Sequence, residues 1–117
     1  MTTPDKFTAA YITAALWSST DDNGDPLDSV AYELSAQASE KMIADCSQFQ
    51  DANPIIFTSE YPGTIEQAGH DFWLTRNGHG AGFWDRGHGN IGDQLTEAAK
   101  SFGECDLYVG DDGLLYI

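Results

Sequence analysis

Thr64-Ile65-Glu66-Gln67-Ala68-Gly69-His70-Asp71-Phe72-Trp73-Leu74-Thr75-Arg76-Asn77-Gly78 is the stretch on which the fold turns. Thr64 and Gln67 match the capping-box pattern, in which two side chains reciprocally satisfy free backbone amides at a helix start. Ile65, Ala68 and Phe72 then share a helical face with Trp73 beside it, and Asn77-Gly78 is a helix stop. The spacing predicts a helix over 65–76. A strand from Asp71 to Thr75 is the rival reading. As a helix, the stretch leaves the strands to the C-terminal half.

Toward the C-terminus, Gly78-His79-Gly80-Ala81-Gly82 is too rich in glycine for regular helix. Phe83-Trp84-Asp85-Arg86 is a short strand candidate, and Gly87-His88-Gly89-Asn90-Ile91-Gly92 reads as a flexible loop. Asp93 to Phe102 predicts a helix with Leu95, Ala98, Ala99 and Phe102 on one side and Gly103 as its stop. Asp106–Val109 and Leu114–Ile117 predict strands joined by Gly110-Asp111-Asp112-Gly113, where Asp-Gly is a strong hairpin signal. Because the last strand runs to Ile117, trimming this end is expected to damage folding.

Toward the N-terminus, Tyr61-Pro62-Gly63 is a turn. A long helix is predicted from about 29 to 51, capped by Asp28 or Ser29, with Val30, Leu34, Ala38, Met42 and Cys46 repeating every four residues and Phe49 extending the stripe. Asn53-Pro54 ends it, since the residue before proline disfavours the α region. Asn53 caps a short helical turn through Ile55–Phe57, or that piece is extended. Residues 18–28 are turn-forming and acidic, an exposed loop. Thr3-Pro4-Asp5 opens a first helix over about 4–18, with Thr3 as cap, Pro4 at the first helical position and Asp5 complementing the positive helix end. Phe7, Ala10, Tyr11, Ala14 and Trp17 form its apolar face. The order predicts one α+β domain over 1–117, its N-terminal helices packed on a small C-terminal β-sheet of about three strands.

Composition narrows the function classes. Hydrophobic residues make up 41% of the 117, enough for a real core. Nineteen Asp and Glu face five Lys and Arg, a formal charge of −14. The charge is spread: residues 1–60 hold ten acids and two bases, and residues 61–117 nine acids and three bases. This argues against direct binding of nucleic-acid phosphates or anionic membrane and permits binding to basic surfaces. No apolar run is long enough for a membrane span, and no secretory signal opens the chain. Cys46 and Cys105 have no motif spacing and read as two free, packed thiols in a reducing cytoplasm, with one disulfide as the alternative.

Three motifs invite sharper chemistry. His70, His79 and His88 recur every nine residues, and imidazole nitrogens bind transition metals, but nine matches no local ligand geometry. Gly87-His88-Gly89-Asn90-Ile91-Gly92 matches G-x-G-x-x-G, yet the preceding segment carries Asp85 and Arg86 where a buried parallel strand would be apolar, and the field repels a pyrophosphate. The acidic run Asp21–Asp28 fails the EF-hand pattern, since Gly24, Pro26 and Leu27 fall at positions that require ligands or glycine. No nucleophile elbow, P-loop or H-E-x-x-H is present. The sequence thus predicts neither catalytic residues nor a cofactor nor a metal site.

The stretch Ala68 to Gly87 resembles a segment that recurs in small acidic proteins of bacteriophages and prophages. Gly92-Asp93-Gln94-Leu95-Thr96-Glu97-Ala98-Ala99-Lys100, Asp106 to Gly113, and Tyr11 to Thr20 are similar too, so the resemblance covers most of the chain. It implies a phage context within a host cytoplasm and no catalytic residues.

The leading expectation is a non-enzymatic binding protein that engages a basic host protein. Its concrete form is a DNA mimic inhibiting a nucleic-acid-binding enzyme of defence or repair, of the anti-restriction or anti-CRISPR kind. Asp21, Asp22, Asp25, Asp28 and Glu33 would supply one acidic patch, and Asp106, Asp111 and Asp112 another. His79, Trp84 and Arg86 form a candidate recognition loop, with Arg76 as a further candidate anchor. Reversing Asp21, Asp22, Asp25 and Asp28 to Lys should abolish partner binding. Two alternatives stand beside it: a small enzyme or metal-dependent module centred on His70, His79, Asp85 and His88, and an assembly protein that self-associates through aromatic surface.

Overall fold

Asp5 opens the first helix. Its Oδ1 accepts the Thr8 N–H at 2.7 Å, which satisfies one of the free donors of the first turn. The computed structural model describes residues 5–20, 24–27, 32–79 and 81–117. In chain order it holds α1 (Lys6–Ser18), α2 (Ala36–Ala52), a 3-10 turn (Pro54–Phe57), α3 (Ile65–Arg76), a second 3-10 turn (Phe83–Asp85), α4 (Asn90–Lys100), β1 (Tyr108–Val109) and β2 (Leu115–Tyr116). The cap expected at Thr3 is Asp5, and Thr3 and Pro4 lie outside the described residues.

The α+β class holds, with helices preceding a small C-terminal sheet, and α3 has the bounds the sequence predicts. Thr64 Oγ1 accepts the Gln67 N–H at 3.1 Å, the threonine half of the capping box. Three other expectations are corrected. First, α2 starts at Ala36, not near 29. Ser35 caps it through the Ala38 N–H at 3.1 Å, and Leu34 pairs with Leu115 in a parallel bridge. The expected cap residues Asp28 and Ser29 lie outside the described residues.

Second, Phe83–Arg86 is not a third strand. The Phe83 N–H is taken by Thr75 Oγ1 and the Gly82 N–H by Asp85 Oδ1, so side chains bind the donors a ladder would need. Gly82 itself, at φ 154°, admits no Cβ, because one would overlap Thr75 Oγ1. Third, α4 begins at Asn90 and absorbs part of the expected loop. Pro54–Phe57 is helical, one of the two readings, but Asn53 makes no side-chain cap; its Nδ2 donates back to Phe49 O.

The sheet is an antiparallel hairpin with Tyr108 opposite Tyr116 and Val109 opposite Leu115. On its other side β2 meets residues 33–35: Leu115 N donates to Glu33 O and Ser35 N to Leu115 O, both at 2.8 Å. Ile117 is tied by both backbone groups to the Gln37 amide. The final strand is therefore interior to the sheet and joined to α2.

The core is a column of rings. Phe49 of α2 stacks on Phe72 of α3 at 4.2 Å, and Phe7 of α1 and Phe83 lie against Phe49 at 5.6 and 5.8 Å. Tyr11 meets the Trp73 ring edge-on. Residues 71–76 of α3 are all buried, so the helix is the central post of the domain. Cys46 and Cys105 are free, and burial pushes both thiols above their ordinary range.

Candidate functional site

The arrangement of charge is the feature that bears on function. Of the five cations one is buried, and a second is exposed but paired with a buried carboxylate. Arg76, at the end of α3, is 3% exposed. Its guanidinium donates to Asp45 Oδ2, Tyr11 Oη, Phe102 O and Gly103 O at 2.8–3.1 Å and lies over the Phe72 and Phe102 rings. The expectation of a surface anchor at Arg76 is thus corrected. Arg86 binds the fully buried Asp71 through a bidentate pair of 2.8 and 3.0 Å, with about a third of its side chain reaching solvent.

Outside, the described carboxylates far outnumber the cations. Asp5, Asp25, Glu33, Glu40, Asp51, Glu60, Glu66, Asp85, Asp93, Glu97, Glu104, Asp106, Asp111 and Asp112 are exposed, against Lys6, Lys41 and Lys100 and the edge of Arg86. Lys41 is itself bonded to Asp45 at 3.0 Å. Such a surface repels itself. The Tm is therefore expected to rise with sodium chloride, most steeply up to about 0.15 M, where the screening length falls to roughly 8 Å. Thermal unfolding followed by circular dichroism across a salt series checks this; a flat or falling Tm would contradict it.

The residues named from sequence fall into separate places. Asp21, Asp22 and Asp28 lie outside the described residues, and Asp25 is exposed in the loop before Leu27, whose side chain is buried in the core. His79 and Asp106 are brought together in a polar cleft of about 270 Å³ with Ser18, Thr20 and Asn77. Asp111 and Asp112 sit at the hairpin tip in a shallow cleft of about 320 Å³ walled by Tyr108 and Tyr116. Those two rings stack at 5.9 Å, Tyr116 Oη donates to Asp112 Oδ2 at 2.7 Å, and that bond holds the Asp112 carboxyl below its ordinary range. Trp84 is 52% exposed beside Arg86. Glu33 rims an apolar groove between α1 and the start of α2.

The three histidines have three different environments. His70 stacks on Trp17, whose Nε1 donates to His70 Nε2 at 3.2 Å, and its Nδ1 lies 3.9 Å from Asp71 Oδ1. His79 is in the cleft with Asp106, and His88 meets the Tyr61 ring edge-on. Tyr61 Oη and His88 Nε2 are buried with no hydrogen-bond partner among the described residues. Burial and the nearby Asp71 carboxylate push the Tyr61 hydroxyl up to about 12. Among the described residues no three His, Cys, Asp or Glu side chains come together in a way that could hold a metal ion.

Sequence reasoning missed the apolar groove and the tyrosine-walled hairpin cleft. The second had a signal: Tyr108 and Tyr116 are cross-strand partners once the Asp-Gly turn fixes the register. Among the described residues no helix is long and apolar enough to cross a membrane. Comparison of the chain with family models, curated proteins and solved structures finds no match.

Proposed function

We propose that this chain is a non-catalytic binding protein of phage origin whose carboxylate-dense exterior engages a basic host protein in the place of duplex DNA. The concrete form is an inhibitor of a nucleic-acid-binding enzyme of host defence or repair. One observation carries the reading: the described surface sets fourteen exposed carboxylates against four exposed cations, two of which, Lys41 and Arg86, are already paired with Asp45 and Asp71. The body is 43 Å long, and a duplex of that length carries about 25 phosphates. The fourteen exposed carboxylates named above amount to more than half of that density. The hairpin cleft adds aromatic faces on which an arginine or lysine can rest between Asp111 and Asp112. His79, Trp84 and Arg86 supply the less charged contacts that pick one basic partner from others.

The test is capture from host extract on the immobilised protein, with elution by salt or by duplex DNA. The reading expects basic, nucleic-acid-binding proteins that either agent releases. Reversing Asp106, Asp111 and Asp112 to Lys should weaken capture by on the order of tenfold while the circular dichroism spectrum stays the same. Unchanged capture by that variant, or retention that ignores both salt and duplex, would overturn it.

A further inference from the structure

We infer that the groove between α1 and residues 33–40 receives an extended segment of the basic partner, laid as an added strand beside residues 33–35 with one apolar side chain in the groove. The inference rests on the acidic-binding reading and names the form of what is bound. The groove has a volume of about 670 Å³; Ile12, Leu34 and Ala36 wall it, and Glu33, Ser39 and Glu40 rim it. Its floor borders a sheet edge. Because Glu33 O and Ser35 N are both bonded to Leu115, the alternation of an extended chain turns the Leu34 N–H and C=O to the opposite side. Among the described residues neither group has a partner. Unpaired edge groups beside an apolar trough are the elements of strand addition, in which the backbone supplies affinity and alternate side chains supply selectivity.

Charge selects the occupant. Natural edges are often protected by lysine or proline, whereas this one is flanked by two glutamates. A second copy of a chain with net charge −14 would bring like charge to the same rim. A segment with a valine-sized side chain between lysines or arginines meets both the walls and the carboxylates.

The test uses the full chain, labelled with ¹⁵N, and three capped peptides: one alternating lysine and valine, one with glycine for each valine, and one N-methylated along the backbone. The first is expected to shift the amides of Ile12 and residues 33–40. The other two should bind on the order of tenfold more weakly. Ser39→Trp, which fills the groove, and separately Glu33→Lys with Glu40→Lys should each remove those shifts. Equal binding of the glycine or methylated peptide, or shifts concentrated on the hairpin, would overturn the groove while leaving the acidic-binding reading in place. If no basic peptide binds anywhere at low salt, the acidic-binding reading falls as well.

Discussion

One methyl group placed at Gly69 is expected to lower the Tm by on the order of 10 °C, a loss of about 3 kcal/mol for a domain of this size. Gly69 lies where α3 crosses α1, the most extensively packed pair of elements in the domain. A Cβ there would overlap the backbone carbonyl of Phe7. Two effects compete in Gly69→Ala. Alanine is the better helix former by about 1 kcal/mol at an ordinary position. Against that, the obstructing atoms are backbone, which no rotamer change can move, so the two helices must separate. Separation would open the ring column, because Phe7 stacks on Phe49 and approaches Phe72 at 6.0 Å. The steric cost therefore wins. Thermal and urea unfolding of Gly69→Ala, beside Ser47→Ala on the exposed face of α2, measures it. A neutral or stabilising result at Gly69 would mean that the helices are not in backbone contact there.

The parts of the fold legible in the sequence are those decided by local chemistry. Thr64 and Asn77-Gly78 bracket α3, and the Asp-Gly turn sets the hairpin, because a cap or a turn is settled within four residues. Where contacts from afar decide, the sequence misleads. Leu34 sits four residues from Ala38 and so extends an apolar stripe on paper, yet its backbone setting is fixed by Leu115 from the far end of the chain. Ser35 carried the signal for the true start of α2, but a serine inside a periodic run does not declare itself a cap. Phe83-Trp84 looks like a strand by composition, and Thr75 and Asp85 take its donors instead. For the candidate surface, the overall acidity was plain, while the burial of Arg76 was hidden. Arg76 beside Asn77-Gly78 has the look of an ordinary basic residue near a helix end.

Arg76→Met is expected to destabilise the protein by about 4 kcal/mol, because it strips the partner from buried Tyr11 Oη and from three part-buried acceptors at once. Methionine keeps much of the volume against Phe72 and Phe102 and so limits the packing loss. What it cannot replace are the bonds to Tyr11 Oη, Phe102 O and Gly103 O, of which the tyrosine is fully buried. Asp45 suffers less, since it keeps Lys41 and is partly solvated. Arg76→Lys should recover only part, since one ammonium cannot span acceptors on α1, α2 and the turn after α4. The pH dependence separates the ion pair from the rest. Burial alone would raise the Asp45 carboxyl, but the bonds from Arg76 and Lys41 outweigh it and hold the group below its ordinary 3.8. A depressed folded value means that this contribution is complete above 3.8 and is lost as pH falls below it toward the folded value. With Arg76 gone, Asp45 contributes less, so the stability gap between wild type and variant should be constant near neutrality and should narrow below pH 3.8. Urea unfolding of both proteins across that range reads the gap directly. A gap unchanged through the acid limb would show that the Asp45 pair contributes little, and that the arginine acts through its carbonyl and tyrosine bonds alone.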